Sequence, residues 1–148
     1  MVSSRGQSKG CLATFVERKT RFYVAIKMND RTKDSMFLAI SSLYNTLTSK
    51  LLKTFTVDRG KEFTCFEQVE TEFGIPIYFA DAYAAWQRGS NENSNGLLRE
   101  FFPKKTDLAT VTLDKLTETL VLINNRPRKC LGFKTPFDMF KHAIRKLI

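Results

Sequence analysis

Cysteine and histidine are scarce in these 148 residues: Cys11, Cys65, Cys130 and a single histidine, His142. Three cysteines so far apart form no CxxC pair, which argues against a zinc ribbon or a thioredoxin-like site and leaves buried, reduced thiols as the expectation. His142 sits among Lys141, Arg145 and Lys146, and nothing in the sequence sets a nucleophile beside it. Ser–His or Cys–His catalysis and hydrolytic zinc chemistry are therefore poorly supported. No apolar run approaches the roughly 20 residues that cross a bilayer. Met1 to Gly10 are polar and lack the apolar h-region of a secretory signal, so the cytoplasm is the expected compartment. Repeats, low-complexity tracts and linker-like stretches are missing as well, and residues 1–148 are expected to form one domain. Carboxylate–metal chemistry is the main catalytic option left.

What is present is apolar bulk and positive charge. A hydrophobic content of 43% with 13 Phe fits a packed interior rather than disorder. The net charge is +9, unevenly spread. Residues 1–27 carry six basic and one acidic side chain, and residues 99–148 eleven basic and five acidic. Residues 30–98 carry seven basic and nine acidic. Basic flanks around a mildly acidic middle suit a polyanionic partner, with carboxylates left over for a cation. A generally basic domain would give the same totals.

Residues 11–17 and 21–28 are rich in β-formers and predict a hairpin across Arg18-Lys19-Thr20. From Thr32, Met36, Phe37, Ile40, Leu43, Tyr44 and Leu47 recur at helical period, with Ser49 and Lys50 as the stop. Leu51 to Val57 reads as a buried strand. Thr64-Cys65-Phe66-Glu67 looks like a capping box opening a short helix that Gly74 stops. Ile75 to Ala80 is a second strand, with Pro76 suiting an edge or entry. A loop over 81–89 leads to a helix with Ser90 as N-cap, ended by Pro103. Helices follow near 112–124 and 136–147, the latter opened by Thr135-Pro136-Phe137-Asp138. This order implies an α/β architecture, a mixed sheet flanked by helices.

Two carboxylates stand out in that layout. Asp58 follows the strand-like Thr54-Phe55-Thr56-Val57 and opens the turn Asp58-Arg59-Gly60. Glu92 follows with 33 residues between them, in the run from Trp86 to Gly96. A carboxylate at a strand end and one on a helix can serve a hard divalent cation, which takes few carboxylates together with water and phosphate oxygens. On local grounds alone, Asp58 also suits an Asp-x-Gly turn and Glu92 the first turn of a helix.

The words around these acids are more specific. Val57-Asp58-Arg59-Gly60-Lys61-Glu62-Phe63, Tyr78-Phe79-Ala80-Asp81-Ala82-Tyr83, Trp86-Gln87-Arg88-Gly89-Ser90-Asn91-Glu92-Asn93-Ser94-Asn95-Gly96 and Asn125-Arg126-Pro127-Arg128-Lys129 come in that order. They resemble bacterial transposases of insertion-sequence family thirty, in the integrase superfamily, over roughly Gly10 to Phe140. Ala82 and Ala84 depart from the pattern, where Pro and Ser would be expected. The resemblance implies an RNase H-like fold and an Asp-Asp-Glu triad, with Asp58 and Glu92 matching the second and third acids as catalytic and metal ligands for Mg²⁺ or Mn²⁺. It places the first acid just upstream of Val2. Residues 1–16 hold no Asp or Glu, and Glu17 reads as a hairpin residue. The expectation is a catalytic core truncated at its N-terminus, its first strand largely missing, and inactive or nearly so alone.

The implied partners are DNA, both transposon ends and target, and further copies of the chain in an active homo-oligomer, with no membrane. Expected DNA contacts are Trp86, Gln87, Arg88, Asn91, Asn95, Arg99, Lys104, Lys105, Arg126, Arg128 and Lys129. The location implied is the bacterial cytoplasm at the nucleoid. The expected activity is Mg-dependent DNA end cleavage and strand transfer. Alternatives are a non-catalytic DNA-binding or transposase-pairing fragment, and an RNase H-like nuclease. Trp86 can stack on a base or pack against Tyr83, and Asn124 and Asn125 can cap a helix end.

Overall fold

The computed structural model describes residues 1–47 and 50–147. Its elements run β1 (Val2–Ser3), β2 (Cys11–Val16), β3 (Tyr23–Met28), α1 (Lys33–Leu47), β4 (Phe55–Val57), α2 (Phe66–Phe73), β5 (Ile77–Phe79), α3 (Gly89–Phe101), α4 (Leu113–Asn124) and α5 (Pro136–Leu147). They fall into two compact units, one of residues 1–27 with 90–148, the other of residues 28–89.

The first unit is built on a sheet of order β1-β2-β3. β1 is only two residues long and runs antiparallel to β2, with Val2 opposite Leu12 and Ser3 opposite Cys11. The turn after β2 closes through the Glu17 N–H on the Phe22 carbonyl (2.8 Å) and the Arg21 N–H on the Glu17 carbonyl (2.7 Å). Strand and helix residues share one core: Val2, Leu12, Tyr23, Ala25, Leu98 and Ile123 are all buried in it. Each large apolar side chain there contributes roughly 1.5–3 kcal/mol by leaving water. Asn124 adds a polar clamp. Its Oδ1 accepts the Tyr23 N–H (2.9 Å) and its Nδ2 donates to the Tyr23 carbonyl (2.8 Å). The last residue of α4 therefore acts as a pairing partner for β3, which is not the capping role its place at a helix end had offered. Phe22 stacks on Phe140 of α5 at 4.2 Å.

In the second unit β4 and β5 pair in parallel, Phe55 with Ile77 and Val57 with Phe79. Both strands are shorter than the apolar runs that predicted them. Lys53 and Thr54 are exposed, and Pro76 has no N–H to give a ladder, so regular pairing starts at Ile77. α1 opens on Asp30, whose carboxylate accepts the Thr32 hydroxyl (2.6 Å), the Ser35 hydroxyl (2.6 Å) and the Thr32 N–H (3.1 Å). Its buried side is Met36, Ala39, Ile40 and Leu43, and Phe37 and Tyr44 stack on Phe73 of α2. Lys50 lies in a turn beyond α1, and Ser49 lies outside the described residues.

Two helix starts differ from expectation. Residues Lys61–Cys65 form a 3-10 turn in which the Thr64 hydroxyl donates to the Lys61 carbonyl (2.8 Å). α2 therefore begins without a side-chain cap, because Thr64 is already inside helical backbone. Likewise Ser90 lies within α3, and its hydroxyl accepts from Arg21 instead of capping. Gly74 and Thr135 behave as read, and Thr112 caps α4 in the same way as Thr135 caps α5. Gly74 takes φ 65° after α2, and Thr112 and Thr135 accept the Lys115 and Asp138 N–H groups at 3.2 and 3.1 Å.

Candidate metal and nucleic-acid site

Asp58 stands where parallel pairing of β4 with β5 delivers it, one residue past the buried Val57. Its Oδ1 accepts the Gly60 N–H (3.1 Å), the turn its sequence favours. Its Oδ2 is 2.9 Å from Arg88 Nη1, with the two side chains 40% and 23% exposed. Arg88 thus meets the carboxylate, a contact that its expected role toward DNA did not reveal. A Cβ at Gly60 would fall 2.7 Å from the carboxylate of Glu62, which is buried and lies 3.7 Å from Arg31, so a side chain there would have to shift the end of Glu62.

The segment before α3 is self-bracing. Gln87 Oε1 accepts the Asp81 N–H and Gln87 Nε2 donates to the Asp81 carboxylate, both at 2.9 Å. Trp86 is 78% exposed, and Tyr83 is fully exposed at φ 63°. Packing of Trp86 against Tyr83 is therefore not what the structure shows.

Glu92 belongs to the other unit, in the first turn of α3. It is exposed, with no hydrogen bond or ion pair among the described residues. A Cβ on Gly96 would meet nothing within 4 Å, so the helix is open at that point. The neighbouring polar groups are more committed. Asn95 Oδ1 accepts the Tyr23 hydroxyl at 2.7 Å. Burial pushes that phenol above its ordinary range, against the opposing effects of Thr14 and of the Arg99 charge. Asn91 Oδ1 is buried without a partner among the described residues. The Arg99 guanidinium donates to the carbonyls of Ser3 (2.8 Å), Phe102 (3.3 Å) and Pro103 (3.3 Å), tying β1 to the end of α3.

Among the remaining cations, Arg126 pairs with Glu100 at 3.0 Å. Arg128 donates to the Ile123 carbonyl (3.1 Å) and is half-buried, with burial and then the charge of Arg126 lowering its pKa. Lys104, Lys105 and Lys129 are exposed. Glu17 is a hairpin-turn residue: its carboxylate accepts the backbone N–H groups of Lys19 (3.0 Å) and Thr20 (2.6 Å) in its own turn. Among the described residues no group of three His, Cys, Asp or Glu is placed to hold a metal.

No family model matches the chain. Transposase InsI for insertion sequence element IS30A, from Escherichia coli (strain K12), is 38% identical over 139 residues, 94% of this chain and 36% of that protein. The transposase for insertion sequence element IS1086, from Cupriavidus metallidurans, is 32% identical over 137 residues, 93% of this chain and 40% of that protein. The chain thus spans two fifths or less of the length of these relatives. Among solved structures, the HTLV-2 integrase catalytic core domain in complex with magnesium superposes with a TM-score of 0.66 at 19% identity, covering 90% of this chain and 86% of that one. That likeness shows the fold to be RNase H-like, as in integrase catalytic cores. The 38% identity to an insertion-sequence transposase over 94% of the chain, an extent that takes in the segments holding Asp58 and Glu92, makes the chain a member of the IS30 family of transposases.

Proposed function

We propose that this chain is the catalytic core of a DNA transposase, which cleaves DNA ends and joins them to a target with a divalent metal. The observation that carries the reading is the 38% identity to an insertion-sequence transposase over 94% of the chain, on an integrase-type fold. Asp58 and Glu92 are the proposed metal ligands. Both offer hard oxygen donors, which suit Mg²⁺ or Mn²⁺. Asp58 already holds a positive group, the Arg88 guanidinium, and Glu92 is exposed. When bound, such a metal polarises phosphoryl oxygens and lowers the pKa of a water nucleophile. The exposed indole of Trp86 is suited to stacking on an unpaired base. Lys104, Lys105 and Lys129 offer charge to the backbone. DNA as substrate implies work at the bacterial nucleoid and further copies of the chain to hold two ends.

A second reading, DNA binding without cleavage, is favoured by one observation: among the described residues no three-carboxylate group is assembled. For the 148-residue polypeptide alone the expectation is DNA binding with cleavage near background. Mn²⁺ binding separates the readings, measured for the parent, Asp58→Asn and Glu92→Gln. Loss of affinity in both variants supports the metal site; unchanged affinity in both rejects it and leaves the binding reading. Labelled duplex with Mn²⁺ then reports cleavage, and strand joining distinguishes a transposase from a nuclease.

A further inference from the structure

The turn between β1 and β2 and the segment after α3 are locked together by side chains that the metal site does not use. Ser4, wholly buried, donates through Oγ to the Gly10 carbonyl (2.7 Å) and accepts the Leu108 N–H (2.9 Å). Ser8 Oγ donates to Asp107 Oδ1 (2.5 Å) and accepts the Gly10 N–H (3.1 Å). Asp107 also accepts the Ala109 N–H at 3.0 Å. Gly10 allows the approach, since a Cβ there would fall 2.6 Å from the Ala109 nitrogen. Lys27 Nζ donates to the carbonyls of Ala109 (2.6 Å) and Val111 (2.8 Å), fixing the far side.

This bracing holds up cations. Arg5 and Lys9 are exposed on the turn, and Lys104 and Lys105 are exposed on the facing segment. None of the four has an ion pair among the described residues. The acid beside them, Asp107, is occupied by Ser8 and by backbone. Arg5 and Lys105 are held at φ 49° and 78°, a region that disfavours residues with a Cβ by roughly 1–2 kcal/mol. Burial, and after it the charge of Arg5, lowers the pKa of Arg99, so like charges crowd here instead of being neutralised.

We propose that the pinned turn carrying Arg5 and Lys9, together with Lys104 and Lys105, is a preorganised docking surface for the phosphate backbone of duplex DNA. Rigid placement before binding removes the ordering cost that free lysines and arginines would carry. The proposal rests on the transposase reading and adds to it a specific surface, in which Arg5 and Lys9 are new members.

The test compares the 148-residue chain with two charge-matched variants, using a fluorescein-labelled random-sequence duplex across a salt series. Arg5→Asn/Lys9→Gln removes two charges from the turn, with Asn tolerating positive φ. Arg18→Gln/Lys19→Gln removes two exposed charges from the β2–β3 turn. The first variant is expected to bind on the order of tenfold more weakly, with a log–log salt slope flatter by about 1.8, at about 0.9 per phosphate contact. The second should change affinity by less than about twofold, and circular dichroism should show both folded. Equal losses in the two variants, or no loss in the first, would overturn the docking surface while leaving the transposase reading intact. Failure of the parent chain to bind the duplex at low salt would overturn both.

Discussion

Arg88 Nη1 lies 2.9 Å from Oδ2 of Asp58, so the carboxylate proposed to hold a metal is already paired with a cation. Both side chains keep partial contact with water, where such pairs contribute roughly 0.2–1 kcal/mol. A divalent ion arriving at Asp58 must displace the guanidinium. Arg88→Gln should therefore bind Mn²⁺ about 1.4- to fivefold more tightly than the parent, the equivalent of that range. Titration calorimetry or the Mn²⁺ resonance signal reads this directly. Weaker binding in the variant would mean that Arg88 positions Asp58 for the ion instead of competing with it.

The two bonds between Asn124 and the backbone of Tyr23 are buried and 101 residues apart in sequence. Asn124→Ala leaves the Tyr23 N–H and carbonyl without partners, at about 1–3 kcal/mol for each buried group stranded. Urea unfolding should show a loss on the order of 2–4 kcal/mol. A loss below about 0.5 kcal/mol would show that water replaces the amide.

How much of this was legible in the sequence depends on how local the cause is. Thr135 caps a group three residues away, so the start of α5 followed from spacing, while α4 was placed near residue 112 without its Thr112 cap being singled out. Gly74 likewise ends α2 by its own backbone freedom. Asp58 at a strand end was legible because apolar Val57 precedes it and a glycine turn follows. Thr64 and Ser90 carry the same cap chemistry, yet each lies within helical backbone that starts earlier, which their own neighbours did not disclose. The tertiary bonds of Asn124, Asn95 and Arg99 were missed for a different reason. Their partners are Tyr23 and the carbonyl of Ser3, distant in sequence, and no periodicity records a tertiary hydrogen bond. The family words located Arg88 but gave no sign that Asp58 would be its partner.

Arg99 was expected on DNA, yet its guanidinium is shared among three backbone carbonyls. Arg99→Met keeps much of the stem and removes every donor. Stability should fall by roughly 1–3 kcal/mol as the link between β1 and α3 is lost. DNA affinity, measured on the fraction that remains folded, should retain the parent's salt slope if Arg99 makes no phosphate contact. A slope flatter by about 0.9 would restore it to the DNA-facing set.

Glu17 gives a pH-dependent test. Burial by itself would raise its pKa, but the Thr20 hydroxyl and the N–H groups of Lys19 and Thr20 outweigh that and hold it below the ordinary value of 4.5. A carboxylate with a depressed folded-state pKa adds stability that is complete above the unfolded value and is lost as pH falls through the folded one. The parent should therefore exceed Glu17→Gln in urea midpoint at neutral pH. Below 4.5 the gap should narrow as the parent's carboxylate takes up a proton on unfolding and then in the folded turn. The Gln side chain has no such titration, so its own curve supplies the baseline for the other acids. A gap that stays constant from neutral pH down to about pH 3 would show that the turn does not depend on the charge of Glu17, and that its two N–H bonds are as well satisfied by a neutral oxygen.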